Sequence, residues 1–384
     1  MYDALIVGGG PAGSTCARTL ARGGARVAIV DRAQFPRVKL CGGWLSPPFW
    51  DAIGRTPREY PLGLWEWRTC HVHYRGTQYT MPGHGWFIRR YELDQWLLDG
   101  CGAELHLGTN VKDITREPDG TWRVGELRAR LLIGAGGTHC PVARMLAPPR
   151  PRRAVGAQEL ELEADAAAIA RTRVGKDGEP ELVLFDTIAG YGWNVPKHDW
   201  LNLGCGMLDA TTVRDAWQLT RELLRDAGHV PAEVEPQLAH MKGHSYFLFD
   251  PAHLGGAAQA NAFLVGDALG LAHPMTAEGI VPAVTSARVL GDAILAGADY
   301  VERLRAHPLI DEYRRTYRVL ELARKLNRKR KRNGSTAGAG DGTKRFDRTV
   351  VRAFAWMFSG ARLPAPRLID LVLDRVVKEE ARAS

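Results

Sequence analysis

The sequence predicts an α/β (α+β) protein with a Rossmann-type nucleotide-binding domain, an antiparallel-sheet second domain and a helical, basic C-terminal region. Three observations predict it. The chain opens on an apolar run, a glycine cluster and a second apolar run that ends in an acid. From Val155 to about Phe249 the character changes to longer strands of alternating polarity. Residues 303–332 then hold twelve Lys/Arg against Asp311, Glu312 and Glu321, a balance of +9 in a chain whose net charge is +8, so the remainder is close to neutral.

The opening unit is the most informative. Ala4–Val7 reads as a buried parallel strand. Gly8-x-Gly10-x-x-Gly13 follows, then helical character from Ala12 to Arg22, then Val27–Val30 ending on Asp31. An acid about 20 residues beyond the glycines completes the βαβ arrangement that a dinucleotide requires. Gly8 permits the tight turn, Gly10 lets backbone approach a pyrophosphate, and Gly13 lets the helix pack on the strand. The helix N-terminus offers unpaired N–H groups and a positive dipole end to the phosphates. Asp31 can accept from a ribose hydroxyl.

Composition bounds the rest. With 384 residues, 45% hydrophobic and 24% charged, the chain reads as a soluble globular protein of two domains. No apolar run is long enough to span a bilayer. The first strand begins at residue 2, which leaves no room for a signal peptide. Six cysteines are scattered without metal-type spacing, so reduced thiols and a cytoplasmic location are expected, and no metal. The run Arg328–Arg332 reads either as a solvated helix end or as a peripheral contact for anionic lipid. Each basic residue near such a surface is worth about 1 kcal/mol. Nucleic acid is a poor fit, since no aromatic-basic platform accompanies the run.

In chain order, Arg32–Leu45 is a loop with Pro36, Lys39, and Cys41 followed by Gly42-Gly43-Trp44. His71–Met81 alternates around Arg75-Gly76 as a hairpin, with His71 and His73 expected at the surface. Ile88–Leu97 is a helix ending near Gly100, on which Arg90 and Asp94 stand one turn apart. Short strands follow at Glu104–Leu107, Val111–Thr115, Trp122–Val124 and Arg130–Ile133. In Gly190–Lys197, Tyr191, Trp193 and Val195 share one strand face. Ala262–Val265 is an apolar strand that runs into Gly266-Asp267, with a helix starting near Glu278. Beyond 300 the chain is helical and basic, with a Gly-rich linker at 333–343 and amphipathic segments at Val350–Phe358 and Leu368–Lys378.

Taken together these motifs resemble the p-hydroxybenzoate hydroxylase-like flavoprotein superfamily, and within it the geranylgeranyl reductase family. The likeness rests on Cys41-Gly42-Gly43-Trp44-Leu45-Ser46, on Arg90-x-x-Leu93-Asp94-x-x-Leu97, on Tyr191-x-Trp193-x-Val195-Pro196, and on Gly266-Asp267 through Pro274 to Glu278-Gly279-Ile280. It departs at Gly136, where the superfamily has Asp, and at Ala277, where many relatives have Gly. The resemblance implies FAD, seated by Gly8, Gly10, Pro11, Ala12, Gly13, Asp31, Arg32, Cys41, Gly42, Arg90, Gly266, Asp267, Pro274, Glu278, Gly279 and Ile280, with Val111 framing the adenine. It places Cys41 over the flavin ring, and Trp44, Tyr191, Trp193, Val195 and Pro196 against a hydrophobic substrate. His273, one residue before Pro274, is a candidate for influencing a proton.

The implied activity is reduction of carbon–carbon double bonds in a prenyl or other hydrophobic substrate. NAD(P)H or reduced ferredoxin would be a transient electron donor, since the sequence has no second glycine fingerprint for a nicotinamide domain. A monooxygenase or halogenase of the same fold is the alternative. The expected domains are 1–70, 88–150 and 255–300 for FAD, 71–87 and 151–254 for substrate, and 301–384 for the helical end.

Overall fold

A computed structural model describes residues 1–146, 152–172, 178–185, 190–208 and 210–332. The linker at 333–343 and the two amphipathic segments after it lie outside the described residues.

The first sheet grows from the opening unit. Tyr2–Val7 pairs in parallel with Val27–Asp31 on one side and with Leu127–Gly134 on the other. Glu104–Leu107 and Ala262–Leu264 extend it in parallel at either end. Leu5, Ile6, Ile29, Leu132 and Ile133 are wholly buried, as continuous apolar runs covered on both faces must be. The helix Pro11–Arg22 starts with Pro at its first turn, where a missing N–H costs nothing. Helix Ile280–Leu295 lies against it, and Gly291 lets it approach, since a Cβ there would sit 2.6 Å from Thr19 Cγ2.

The second sheet runs Lys242–Phe247, Ala154–Glu163, Trp200–Met207, Gly190–Lys197, Glu181–Leu184, Trp65–Tyr74, Thr77–Phe87 and Trp44–Leu45 in spatial order. Every pairing is antiparallel except Glu181–Leu184 beside Trp65–Tyr74. Period-two alternation gives it two buried faces. Val183, Leu203 and Cys205 pack on the helix Val213–Asp226 through Trp217 and Leu224. Leu182, Trp193 and Val195 face the other way, toward Trp67 and Phe87.

The sheet claims more of the early chain than the sequence suggests. The hairpin extends over Trp65–Phe87 rather than His71–Met81, and Trp44–Leu45 adds an edge strand from within the first assigned domain. Val111 precedes its short strand, which is confined to Ile114–Arg116. His71 is 5% exposed rather than at the surface; its Nε2 meets Glu179 Oε2 at 2.7 Å. The C-terminal region is helical at Tyr300–Ala306 and Pro308–Arg332, the latter containing the basic run.

Candidate active site

A cavity of about 540 Å³ runs from the glycine loop of the first sheet to the aromatic face of the second. Gly8, at φ 115°, abuts the return strand so closely that a Cβ would lie 2.5 Å from the Ala135 carbonyl. A Cβ on Gly13 would lie 1.8 Å from the Gly8 carbonyl oxygen, so helix and turn can meet only through glycine. The Gly9 amide donates to Asp31 Oδ2 at 2.7 Å and the Ala33 amide to Oδ1 at 2.8 Å. Asp31 therefore shapes the turn as well as facing the cavity.

The cavity's cationic wall comes from Arg32, Arg37, Lys39, Arg90 and Arg144. Arg90 and Asp94 form a two-pronged pair that is buried, not displayed on an exposed helix face. Burial opposes the Arg90 charge, but Asp94 outweighs it and holds the guanidinium's pKa above its ordinary value. Arg37 adds a second guanidinium at 3.0 Å from Asp94 Oδ2. Lys39 is pushed down by burial and then by Arg90.

Opposite stand three carboxyls, of which Glu159 is fully buried and Asp267 and Glu278 partly so. Asp267, raised by burial against the pull of Lys39 and Arg90, lines the cavity with Oδ1 unpartnered among the described residues. Glu278, pushed up to about 7 by burial, accepts from Ser46 Oγ at 3.1 Å. Glu159 is likewise pushed up to about 7 by burial, with Lys197 and Lys39 pulling the other way and the Cys41 backbone amide donating to it.

The aromatic end is held by a relay. Trp193 Nε1 donates to Asn202 Oδ1 at 2.7 Å, and Asn202 Nδ2 donates to the Cys41 carbonyl at 3.3 Å. Tyr191 OH donates to the Thr276 carbonyl at 2.6 Å, tying the second sheet to the loop before Ile280–Leu295. Trp44 meets Trp67 and Phe87 edge-on at 4.8 and 5.0 Å.

Most expected residues converge. Gly8, Gly10, Pro11, Ala12, Asp31, Arg32, Cys41, Gly42, Trp44, Arg90, Val111, Tyr191, Trp193, Val195, Asp267, Glu278, Gly279 and Ile280 all line the one cavity. Gly13 and Gly266 stand just behind it as packing residues. Three expectations fail on geometry. Pro196 points to the opposite strand face and Pro274 lies outside the lining. His273 also lies outside it; its Nδ1 accepts from the Met275 and Thr276 amides at 3.2 and 3.0 Å, and its ring meets Tyr313 edge-on. Burial pushes His273 down to about 3, so a neutral ring caps the loop rather than handling a proton.

Sequence reasoning missed Arg37, Arg144, Glu159, His244 and Tyr246, and gave Lys39 no role. Ala157 and Glu159 sit two apart in a strand, as do His244 and Tyr246, so period two was a usable signal for which face they share.

An FAD binding domain profile matches residues 3–55. The chain is 28% identical over 353 residues to a menaquinone reductase of Mycobacterium tuberculosis, covering 83% of this chain and 82% of that one. It is 28% identical over 315 residues to a geranylgeranyl diphosphate reductase of Rhodobacter capsulatus, covering 77% and 75%. Among solved structures, a flavin-dependent brominase shares the fold at a TM-score of 0.63, with 17% identity over 98% of this chain and 100% of the other. The fold and site define an enzyme, an FAD-dependent oxidoreductase. Within that class the resemblance to the geranylgeranyl reductases holds along about three quarters of the chain. The site suits FAD: among the described residues Asp267 presents a buried carboxylate oxygen with no donor, and beside Gly10 only an Arg37 nitrogen at 3.3 Å would meet an added Cβ.

Proposed function

We propose that this enzyme reduces carbon–carbon double bonds of an isoprenoid, either a free prenyl chain or the prenyl tail of a quinone. The observation that carries the reading is the continuity of one cavity between the glycine loop and the apolar wall of Trp44, Leu182, Trp193 and Val195. The apolar surface of that wall suits a hydrocarbon chain. Reductase-named relatives support the choice.

FAD, when bound, supplies hydride chemistry at the ring. Gly8, Gly10 and the N-terminus of helix Pro11–Arg22 would hold its pyrophosphate, and Asp267 would accept from a ribityl hydroxyl. The N-terminal end of Ile280–Leu295 would favour negative charge on the reduced ring. Cys41, followed by Gly42 and Gly43, would lie against the ring face. Glu159, in the lining on the second-sheet side, would give a proton to the substrate, its carboxyl raised by burial toward neutral pH. NAD(P)H or a reduced ferredoxin would deliver electrons transiently, and the basic end of Pro308–Arg332 would bring the enzyme to membranes where such substrates reside.

The test is direct. Purified enzyme is checked for FAD, reduced anaerobically, and mixed separately with geranylgeranyl diphosphate and a menaquinone. Flavin reoxidation with a product two hydrogens heavier, which for menaquinone persists after the ring is reoxidised in air, supports the proposal; a gain lost on that reoxidation is ring reduction and overturns it. A product carrying oxygen or halogen, formed only with air, overturns it.

A further inference from the structure

We propose that His73, Glu181 and His229 form a binding site for one divalent transition-metal ion, zinc by the chemistry of its donors, on the far side of the substrate sheet from the flavin cavity.

The three residues come from separate parts of the chain. His73 lies on Trp65–Tyr74, Glu181 opens Glu181–Leu184, and His229 follows the helix Val213–Asp226. Parallel pairing of the two strands, with His73 opposite Val183 and His71 opposite Glu181, puts these histidines on the face that Glu181 shares. Leu182 projects into the cavity, so Glu181 projects away from it. The three ligating atoms lie within 4.8 Å of one another.

Both imidazoles converge on a single oxygen. His73 Nε2 stands 2.9 Å from Glu181 Oε1, and His229 Nδ1 stands 2.7 Å from the same atom. The other oxygen, Oε2, is occupied by Asn194 Nδ2 at 2.7 Å, which fixes the carboxylate's orientation. Although His229 Nδ1 is so close, it makes no aligned hydrogen bond. Two atoms sharing a metal need proximity without that alignment, whereas two atoms sharing a proton need both.

Glu181 is 2% exposed, while the histidine side chains are 13% and 16% exposed, leaving a solvent side for a fourth, water ligand. Two imidazole nitrogens and one carboxylate oxygen are a donor set that zinc accepts with tetrahedral geometry, and no thiolate is involved. Bound there, the ion would fasten the segment after Val213–Asp226 to two strands whose other face lines the substrate wall.

The experiment uses untagged, flavin-loaded enzyme equilibrated with zinc chloride and dialysed, with metal counted by plasma mass spectrometry. The expected result is one zinc per chain, falling at least tenfold in both His73→Gln and His229→Gln while flavin content stays full. No retained zinc, or equal retention in both variants, overturns the site. Should the variants lose flavin and fold poorly, zinc-edge X-ray absorption of the natural sequence decides instead. A shell of two imidazoles with oxygen supports the site, and a sulfur-bearing shell overturns it. None of these readouts depends on the substrate proposed above.

Discussion

Arg90 grips Asp94 through two parallel hydrogen bonds, Nε to Oδ1 at 2.7 Å and Nη2 to Oδ2 at 2.8 Å, with the carboxylate wholly shielded from water. Arg37 shares the same acid. Removing the acid would leave two guanidiniums facing one another in the cavity wall. Asp94→Ala is expected to cost about 3–5 kcal/mol, the usual consequence of stranding a buried charge. Denaturant unfolding of the apoprotein checks the figure, and the loss should shrink when Arg37→Met is added.

Asp267 carries the opposite expectation for the empty protein. Among the described residues its Oδ1 has no donor, and burial raises its pKa, so the ionised group weighs against the fold until a ligand hydroxyl reaches it. Asp267→Asn should weaken FAD binding about 10- to 100-fold, the worth of a hydrogen bond to a charged group. Apoprotein melting at pH 8 should be unchanged or higher. Fluorescence titration with FAD and a thermal scan separate the two effects.

Glu159 sets a pH limit. Its carboxyl, pushed up to about 7, is protonated below that value and ionised above it. If it gives the proton, substrate-driven reoxidation should fall as pH rises through about 7. Glu159→Gln should then slow that step by about 10²- to 10⁴-fold and abolish the pH dependence while flavin content is retained. Stopped-flow measurement across pH 5–9, a window on the order of that shift, provides the check.

His273 governs behaviour in acid. Its folded pKa, about 3, lies below the value of 6.5 for an unburied ring, so the unfolded chain binds the extra proton first. The stability it contributes is fully present above 6.5 and is lost as pH falls from there toward 3. His273→Asn, which keeps an acceptor for the two amides, should flatten the decline of melting temperature between pH 6.5 and pH 4 (about two units, by the same linkage).

Ala277 occupies φ 59°, a left-handed conformation that costs an alanine roughly 1–2 kcal/mol. Glycine removes that strain but gives back about 0.5–1 kcal/mol of unfolded-chain entropy. Ala277→Gly should therefore stabilise by about 0.5 kcal/mol, and Ala277→Val should destabilise by roughly 1–3 kcal/mol. Chemical denaturation of all three proteins tests the order.

The nucleotide half was legible because its motif is local. Gly8, Gly10, Gly13 and Asp31 meet within one βαβ unit, whose spacing alone dictates their convergence. The aromatic wall was legible too, since Tyr191, Trp193 and Val195 alternate along a single strand. What escaped notice depends on pairing between distant strands. Glu159 reaches the cavity only because Ala154–Glu163 lies between Lys242–Phe247 and Trp200–Met207. His73 and Glu181 are neighbours only through a parallel register that spans 108 residues of sequence. His273 misled because its place beside a cofactor motif said nothing of where the ring would turn. The ring turned inward to satisfy amides of its own loop.

The bond from Tyr191 to the Thr276 carbonyl joins the two halves of the cavity. On the function proposed above, a long hydrocarbon sliding along the aromatic strand would brush that phenol before reaching the ring. Displacing the phenol would free the carbonyl beneath it, so the bulk of the incoming molecule would set the tension on the loop beside the cofactor. Recognition and reactivity would then share one fastening.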